Sequence, residues 1–107
     1  MSRESLGHFE LLVLLAVLHQ GDEAYGVPIA QAIEKSTGKP VILASVYNTL
    51  ERLEEKGLVR STVGQPTPER GGRAKRYFSG TTAGLREVRA AKKALTILWR
   101  GISVQEG

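Results

Sequence analysis

The chain has 107 residues, of which 41% are hydrophobic and 24% are charged, and it contains no cysteine. This composition is typical of one soluble domain with a single core, and the lack of cysteine excludes disulfides, thiolate nucleophiles and cysteine-based metal sites. The net charge is +4, and residues 60–76 alone hold five basic residues and one acidic residue. Because basic and acidic residues are equal in number in the rest of the chain, this segment is a candidate for contact with phosphates.

The N-terminal region predicts neither a membrane anchor nor an export signal. The most apolar run, residues 11–18, is much shorter than the roughly 20 residues that span a bilayer. Arg3 is followed by Glu4 and Glu10, so the positively charged start of a secretory signal is missing. We therefore expect a cytoplasmic protein.

Residues 9–18 predict a first helix that is hydrophobic on almost every side. Such a helix must be enclosed, and a small domain covers only one side of it. Either a second subunit covers the other side, or the helix is the centre of one compact domain. In the first arrangement, Leu12 and Leu15 lie in a dimer interface.

A second helix is predicted over residues 27–36, with Pro28 in its first turn and with Gly38 and Pro40 ending it. Its expected inner face holds Ile29, Ala32 and Ile33. A short strand is expected at 41–43, followed by a third helix that ends before Gly57. The inner face of this third helix is expected to hold Leu43, Val46, Leu50 and Leu53.

The outer face of the third helix carries polar side chains. Ser45, Asn48 and Arg52 fall in line opposite the apolar stripe, and these side chains can bond base edges or phosphates in a major groove. A solvated face without function is the alternative. Tyr47 lies at the edge of the stripe, where it either reaches a phosphate or only packs. Only the first half of the helix should approach DNA, because three glutamates would repel it from the second half: Glu51, Glu54 and Glu55.

The basic segment predicts a hairpin with strands at 58–63 and 74–79 around a tip rich in proline and glycine. Its glycines allow close approach of the backbone, and its basic side chains can follow phosphates or enter a minor groove. A charged loop that only keeps the protein soluble is the alternative. The predicted DNA-binding residues of this wing are Arg70, Gly72, Arg73, Lys75 and Arg76.

After Thr81, which is a suitable N-cap, a long helix is predicted to end at Trp99 or Gly101. Its apolar residues alternate spacings of four and three, as in a coiled-coil contact. The partner of this seam is a second copy of the chain or the first helix of the same chain. Trp99 either packs in that interface or stacks on a flat apolar effector. The seam consists of Val88, Ala91, Leu95, Leu98 and Ile102.

The predicted fold class is mainly α with a small β-hairpin. The order of elements describes a winged helix-turn-helix domain over residues 1–80, with a C-terminal dimerisation helix over 81–107 in the same compact unit.

Three sequence stretches resemble the PadR family, the phenolic acid decarboxylase regulators and their relatives. They are YGVPIAQAI, SVYNTLERLEEKGLV and GGRAKRYFSGTTAG, and the similarity extends over residues 6–101. The resemblance implies a homodimeric winged-helix transcription factor, usually a repressor, with Tyr47 contacting DNA and Gly72 with Arg73 in the wing. Two residues depart from the family pattern, Ala74 where proline is frequent and Gly80 where leucine is usual. The second departure removes a packing side chain and predicts a more mobile exit of the wing.

The sequence therefore predicts a sequence-specific regulator that binds double-stranded DNA as a homodimer on an inverted repeat. The alternative is a winged-helix module for protein or RNA contact. No enzyme motif occurs, and we predict no cofactor. His8 and His19 would lie about 16 Å apart along one helix, too far to share a metal ion.

Overall fold

The computed structural model describes residues 6–21, 24–64 and 75–103. Four helices and one hairpin follow each other along these segments. Their bounds are α1 (His8–Gln20), α2 (Gly26–Thr37), α3 (Leu43–Glu55), β1 (Val59–Val63), β2 (Arg76–Gly80) and α4 (Thr82–Arg100). The mainly α class and the four predicted helices are confirmed.

The core lies where α1, α2 and α3 meet the base of the hairpin. Val13, Leu14 and Val17 of α1 are buried there together with Leu50 of α3 and Phe78 of β2. Leu15 on the opposite side of α1 is 41% exposed. Of the two arrangements that the sequence left open, α1 is thus covered by its own domain on one side and exposed on the other.

The segment before α3 is not the strand that its apolar residues predict. Leu43 is already the first residue of α3, and Ile42 is its N-cap. The backbone N–H of Val41 donates to the Glu34 Oε2 atom at 2.8 Å. A side chain thus accepts the hydrogen bond that a neighbouring strand would accept in a sheet. The expected strand at 41–43 was wrong because this segment finds its hydrogen-bond partner in α2.

The hairpin has two strands, and one backbone hydrogen bond joins it to the segment before α2. β1 and β2 pair antiparallel, with Val59 opposite Gly80 and Val63 opposite Arg76. The Phe78 N–H donates to the carbonyl of Ala24 at 2.7 Å, so the residue just before the N-cap of α2 lies against the outer edge of β2. This contact fixes the base of the hairpin against the start of α2.

Gly80 is packed in spite of its small size. A Cβ atom at this position would overlap the side chain of Leu18, which fills the space beside it. The packing that we expected to be lost at the exit of the wing is therefore supplied by α1.

The N-terminus of α4 is held against Gly57 and Leu58, the two residues that precede β1. The Gly84 N–H donates to the Thr81 Oγ atom at 3.0 Å, which confirms Thr81 as the N-cap, and that hydroxyl donates to the Gly57 carbonyl at 2.7 Å. A Cβ atom at Gly84 would overlap the carbonyl oxygen of Leu58. Helix and hairpin thus approach each other more closely than any side chain at position 84 would allow. No helix within the described segments is both long and apolar enough to cross a membrane.

Candidate nucleic-acid interface

The first half of α3 presents polar groups that have no partner inside the protein. Asn48 is exposed and Ser45 is half-buried, and neither side chain makes a hydrogen bond within the described segments. Val46 and Leu50 hold the other face of the helix in the core. The donors and acceptors of Ser45 and Asn48 are therefore available to the base edges of a duplex.

Tyr47 lies beside these two residues and rests on the start of α2. Its side chain is 36% exposed, and its ring and hydroxyl occupy the space that a Cβ atom of Gly26 would need. The hydroxyl is thus near the positive end of the α2 dipole, an environment that favours an anion. Glycine at position 26 is what allows Tyr47 to take this place, and sequence reasoning had not singled it out.

Arg52, the third member of the predicted row, differs from the other two because it has partners within the protein. Its Nε atom lies 3.4 Å from the Glu10 Oε2 atom, and its Nη2 atom donates to the Thr49 hydroxyl at 3.1 Å. The side chain is still 53% exposed. A contact with DNA stays a prediction for Arg52, which also ties α3 to α1.

Glu10 is the centre of this tie and is almost buried. Its carboxylate accepts from the Gly7 N–H at 2.9 Å and lies 3.1 Å from the Lys56 Nζ atom. Burial alone would raise the pKa of Glu10, but the bonds from Gly7, Lys56 and Arg52 together lower it from its ordinary value of 4.5. An ionised Glu10 therefore connects the N-terminus of α1 with the C-terminal half of α3.

Two basic residues lie at the start of β2, next to the tip of the wing, and each already has a neighbour. The Lys75 Nζ atom lies 4.1 Å from the centre of the Tyr25 ring, and Tyr25 meets Tyr77 edge to face at 5.6 Å. The Arg76 guanidinium lies 2.7 Å from the Glu54 Oε1 atom. Glu54 is therefore paired, whereas the neighbouring Glu51 and Glu55 are exposed. The tip residues Arg70, Gly72, Arg73 and Ala74 lie outside the described residues.

The predicted seam on α4 divides into a covered and an open part. Val88 and Ala91 are half-buried where α4 packs beside α1. Further along the helix the apolar side chains are largely exposed: Leu95 60%, Leu98 70%, Trp99 73% and Ile102 56%. Of the residues predicted on α1, Leu15 is exposed and Leu12 is half-buried. The folding back of α4 onto its own α1 thus covers only the beginning of the seam.

An apolar cleft of about 590 Å³ opens between α1 and α4. Trp99 lies at one end of it, and Lys92 and Thr96 are the polar residues of its wall. The remaining wall is aliphatic and consists of Leu11, Leu15, Val88, Ala91 and Leu95. Trp99 is therefore placed where a flat apolar molecule or an apolar helix from another chain can contact it.

The opposite face of α4 is basic, although the sequence pattern had assigned the net positive charge to residues 60–76 alone. The helix contains five basic residues and one acidic residue, a net charge equal to that of residues 60–76, and the remainder of the chain is correspondingly acidic. None of the five forms an ion pair with another described residue. The net charge of the predicted C-terminal helix is the sequence signal that indicates these five basic residues. Four lie away from the seam and are exposed: Arg86, Arg89, Lys93 and Arg100.

The histidines at the two ends of α1, His8 and His19, are both exposed. Within the described segments, no cluster of three or more His, Asp or Glu side chains is placed to hold a metal ion.

A winged helix-turn-helix protein is defined by three features: the packed helices α1 to α3, the basic hairpin after α3 and the long C-terminal helix. The family model of the transcriptional regulator PadR-like family matches residues 14–90. The chain therefore belongs to the PadR-like family of transcriptional regulators, as its sequence motifs predicted, and this is a family of regulators rather than of enzymes.

Solved structures of family members share this fold. A PadR family transcriptional regulator from Eggerthella lenta is 31% identical, with a TM-score of 0.66 over 84% of this chain and 76% of its own. Regulators from Clostridium difficile and Bacillus cereus are each 21% identical, and their likeness concerns the fold. The first has a TM-score of 0.71 over 88% of this chain and 93% of its own, and the second 0.70 over 86% and 84%. No curated protein sequence matches this chain.

Proposed function

We propose that this regulator is a repressor that binds an inverted-repeat operator as a homodimer in the cytoplasm. The observation that carries the proposal is the free polar row of Ser45 and Asn48 beside Tyr47, next to a hairpin whose charge is strongly positive. In this arrangement the N-terminal half of α3 enters the major groove. Repression is supported by the family resemblance, and occupation of a promoter would exclude the polymerase.

The wing is proposed to hold the phosphate backbone beside the groove. The cations proposed to contact the backbone are Arg70 and Arg73, with Gly72 allowing close approach and with Lys75 and Arg76 at the start of β2. Arg52 has enough exposed surface to reach a phosphate while its other edge stays on Glu10. In two copies related by twofold symmetry, the α3 helices would enter successive major grooves about 34 Å apart.

The second copy is proposed to cover the open seam. Residues 81–107 supply this dimer helix, and residues 1–80 form the DNA-binding part of the same compact unit. Exposed apolar side chains in such a row are costly to leave in water, and a symmetric contact covers both rows at once. The proposed interface consists of Leu12, Leu15, Val88, Ala91, Leu95, Leu98, Trp99 and Ile102.

A small-molecule effector is a further part of the proposal, supported by the cleft beside Trp99. A flat apolar compound that stacks on this ring would occupy the space between α1 and α4 and alter how a second copy packs there. Quenching of the fluorescence of Trp99, the single tryptophan of the chain, measures such binding directly. A Trp99→Leu variant with unchanged affinity for the compound would place its binding site elsewhere.

Selection from a pool of random duplexes at near-physiological salt tests the function. We expect an enriched inverted repeat, because a twofold symmetric dimer reads two equivalent half-sites. Retention of duplexes without enrichment, or no retention, would contradict sequence-specific binding and would favour a winged helix that contacts protein or RNA.

A further inference from the structure

The carboxylate of Glu54 bridges both strands of the wing. Its Oε1 atom accepts from the Arg76 Nη2 atom at 2.7 Å, and its Oε2 atom accepts from the Ser61 hydroxyl at 2.8 Å. Ser61 belongs to β1 and Arg76 to β2, whereas Glu54 lies in the last turn of α3. One side chain of the recognition helix is thus connected to both strands of the hairpin.

The direction of Arg76 follows from the strand register. Side chains alternate along a strand, so Arg76 lies on the same face of the hairpin as Phe78, which is buried. The Arg76 guanidinium carbon lies 5.0 Å from the centre of the Phe78 ring. The charged group is therefore held between a carboxylate and an aromatic ring on the inner face, towards α3.

We propose that Glu54 and Arg76 are positioning residues, which fix the angle between the recognition helix and the wing so that both contact one duplex simultaneously. This inference rests on the proposed DNA binding. A two-stranded hairpin is marginally stable by itself, and a wing that had to be ordered during binding would reduce the affinity. The bridge orders the hairpin before DNA arrives.

Neutralisation of Glu54 should change the affinity for DNA in the direction opposite to that expected from simple electrostatics. A glutamate that only faces DNA repels phosphates, so its neutralisation would increase the affinity. A glutamate that holds the wing increases the affinity by its presence, so the same neutralisation decreases it. Arg76 gives a second contrast, because loss of a direct phosphate contact would reduce the slope of log K against log salt by about 0.9.

The test measures the affinity of the full chain for its selected duplex over a range of salt concentrations. The variants are E54Q, R76Q and the double variant, and circular dichroism verifies that each is folded. Glu51→Gln is the matched control for Glu54, because Glu51 is exposed on the same helix without a partner among the described residues. Arg60→Gln is the corresponding control for Arg76, since Arg60 is exposed on the paired strand.

We expect E54Q and R76Q each to weaken binding by about tenfold, the size of one charge-assisted hydrogen bond. The salt slope should remain that of the wild type, and the double variant should bind no worse than either single variant. E51Q should bind as well as the wild type or better. The variant Glu54→Asp should bind DNA about as weakly as E54Q, because the shorter side chain cannot reach both strands.

Two results would overturn the inference while leaving the proposed function intact. One is an increase in affinity for E54Q equal to that for E51Q. The other combines two observations. R76Q reduces the salt slope by more than R60Q does, and E54Q binds as tightly as the wild type. If the wild-type chain binds no duplex at any salt concentration, the proposed function itself is wrong, and the role of Glu54 in DNA binding falls with it.

Discussion

Replacement of Leu98 by alanine should weaken the proposed dimer, because this residue is 70% exposed in the isolated chain and belongs to the proposed interface. The change removes three carbon atoms, worth about 0.8 kcal/mol each when fully buried. Scaled by the 70% that a partner can still cover, the loss is about 1.7 kcal/mol per chain. Twofold symmetry doubles it to about 3.4 kcal/mol, which raises the dimer dissociation constant roughly 300-fold.

Sedimentation equilibrium over a wide concentration range measures this constant. Ile97→Ala is the matched control, because Ile97 is 54% exposed and is adjacent in sequence but lies on the basic face of α4. We expect the Ile97 variant to dimerise like the wild type. Equal effects of the two substitutions, or a larger effect of Ile97→Ala, would refute the assignment of the seam.

Three further predictions concern single contacts. Glu10→Gln should lower the free energy of unfolding by about 1–3 kcal/mol at pH 7, since ionised partners lose their carboxylate. Because the pKa of Glu10 is lowered, the wild type loses this advantage as the pH falls below 4.5, so urea unfolding of the two proteins should converge in acid. Gly84→Ala should destabilise the protein by about 1–3 kcal/mol in the same assay, because its Cβ overlaps the Leu58 carbonyl; Ala83→Ser is the exposed control. Gly26→Ala should displace Tyr47 and weaken DNA binding about as much as Tyr47→Ala does, and additive effects of the two would contradict this.

Helix spacing predicted which face of α3 is buried and which is exposed, because periodicity along one helix determines which side chains share a face. Val46 and Leu50 are in the core, and Asn48 is on the opposite side. The same reasoning identified the exposed seam that includes Leu98. Thr81 was found as an N-cap because capping depends on neighbouring residues only.

Contacts between residues distant in sequence were not predictable in this way. Glu54 and Arg76 meet only because the hairpin turns back over α3, and Arg52 meets Glu10 only because α1 begins beside α3. Nothing in the local pattern of either pair specifies a partner. The expected strand at 41–43 failed for a related reason, since the Val41 N–H donates to the side chain of Glu34 in α2.

The geometry of the complex with DNA tests the central claim most directly. The protein is titrated onto its selected duplex, and the number of chains per duplex is measured by analytical ultracentrifugation. A second duplex carries five extra base pairs between the half-sites, which turns one half-site to the opposite face of the helix. We predict two chains on the first duplex and loss of tight binding on the second. One chain per duplex, or binding that is insensitive to the insertion, would contradict the account.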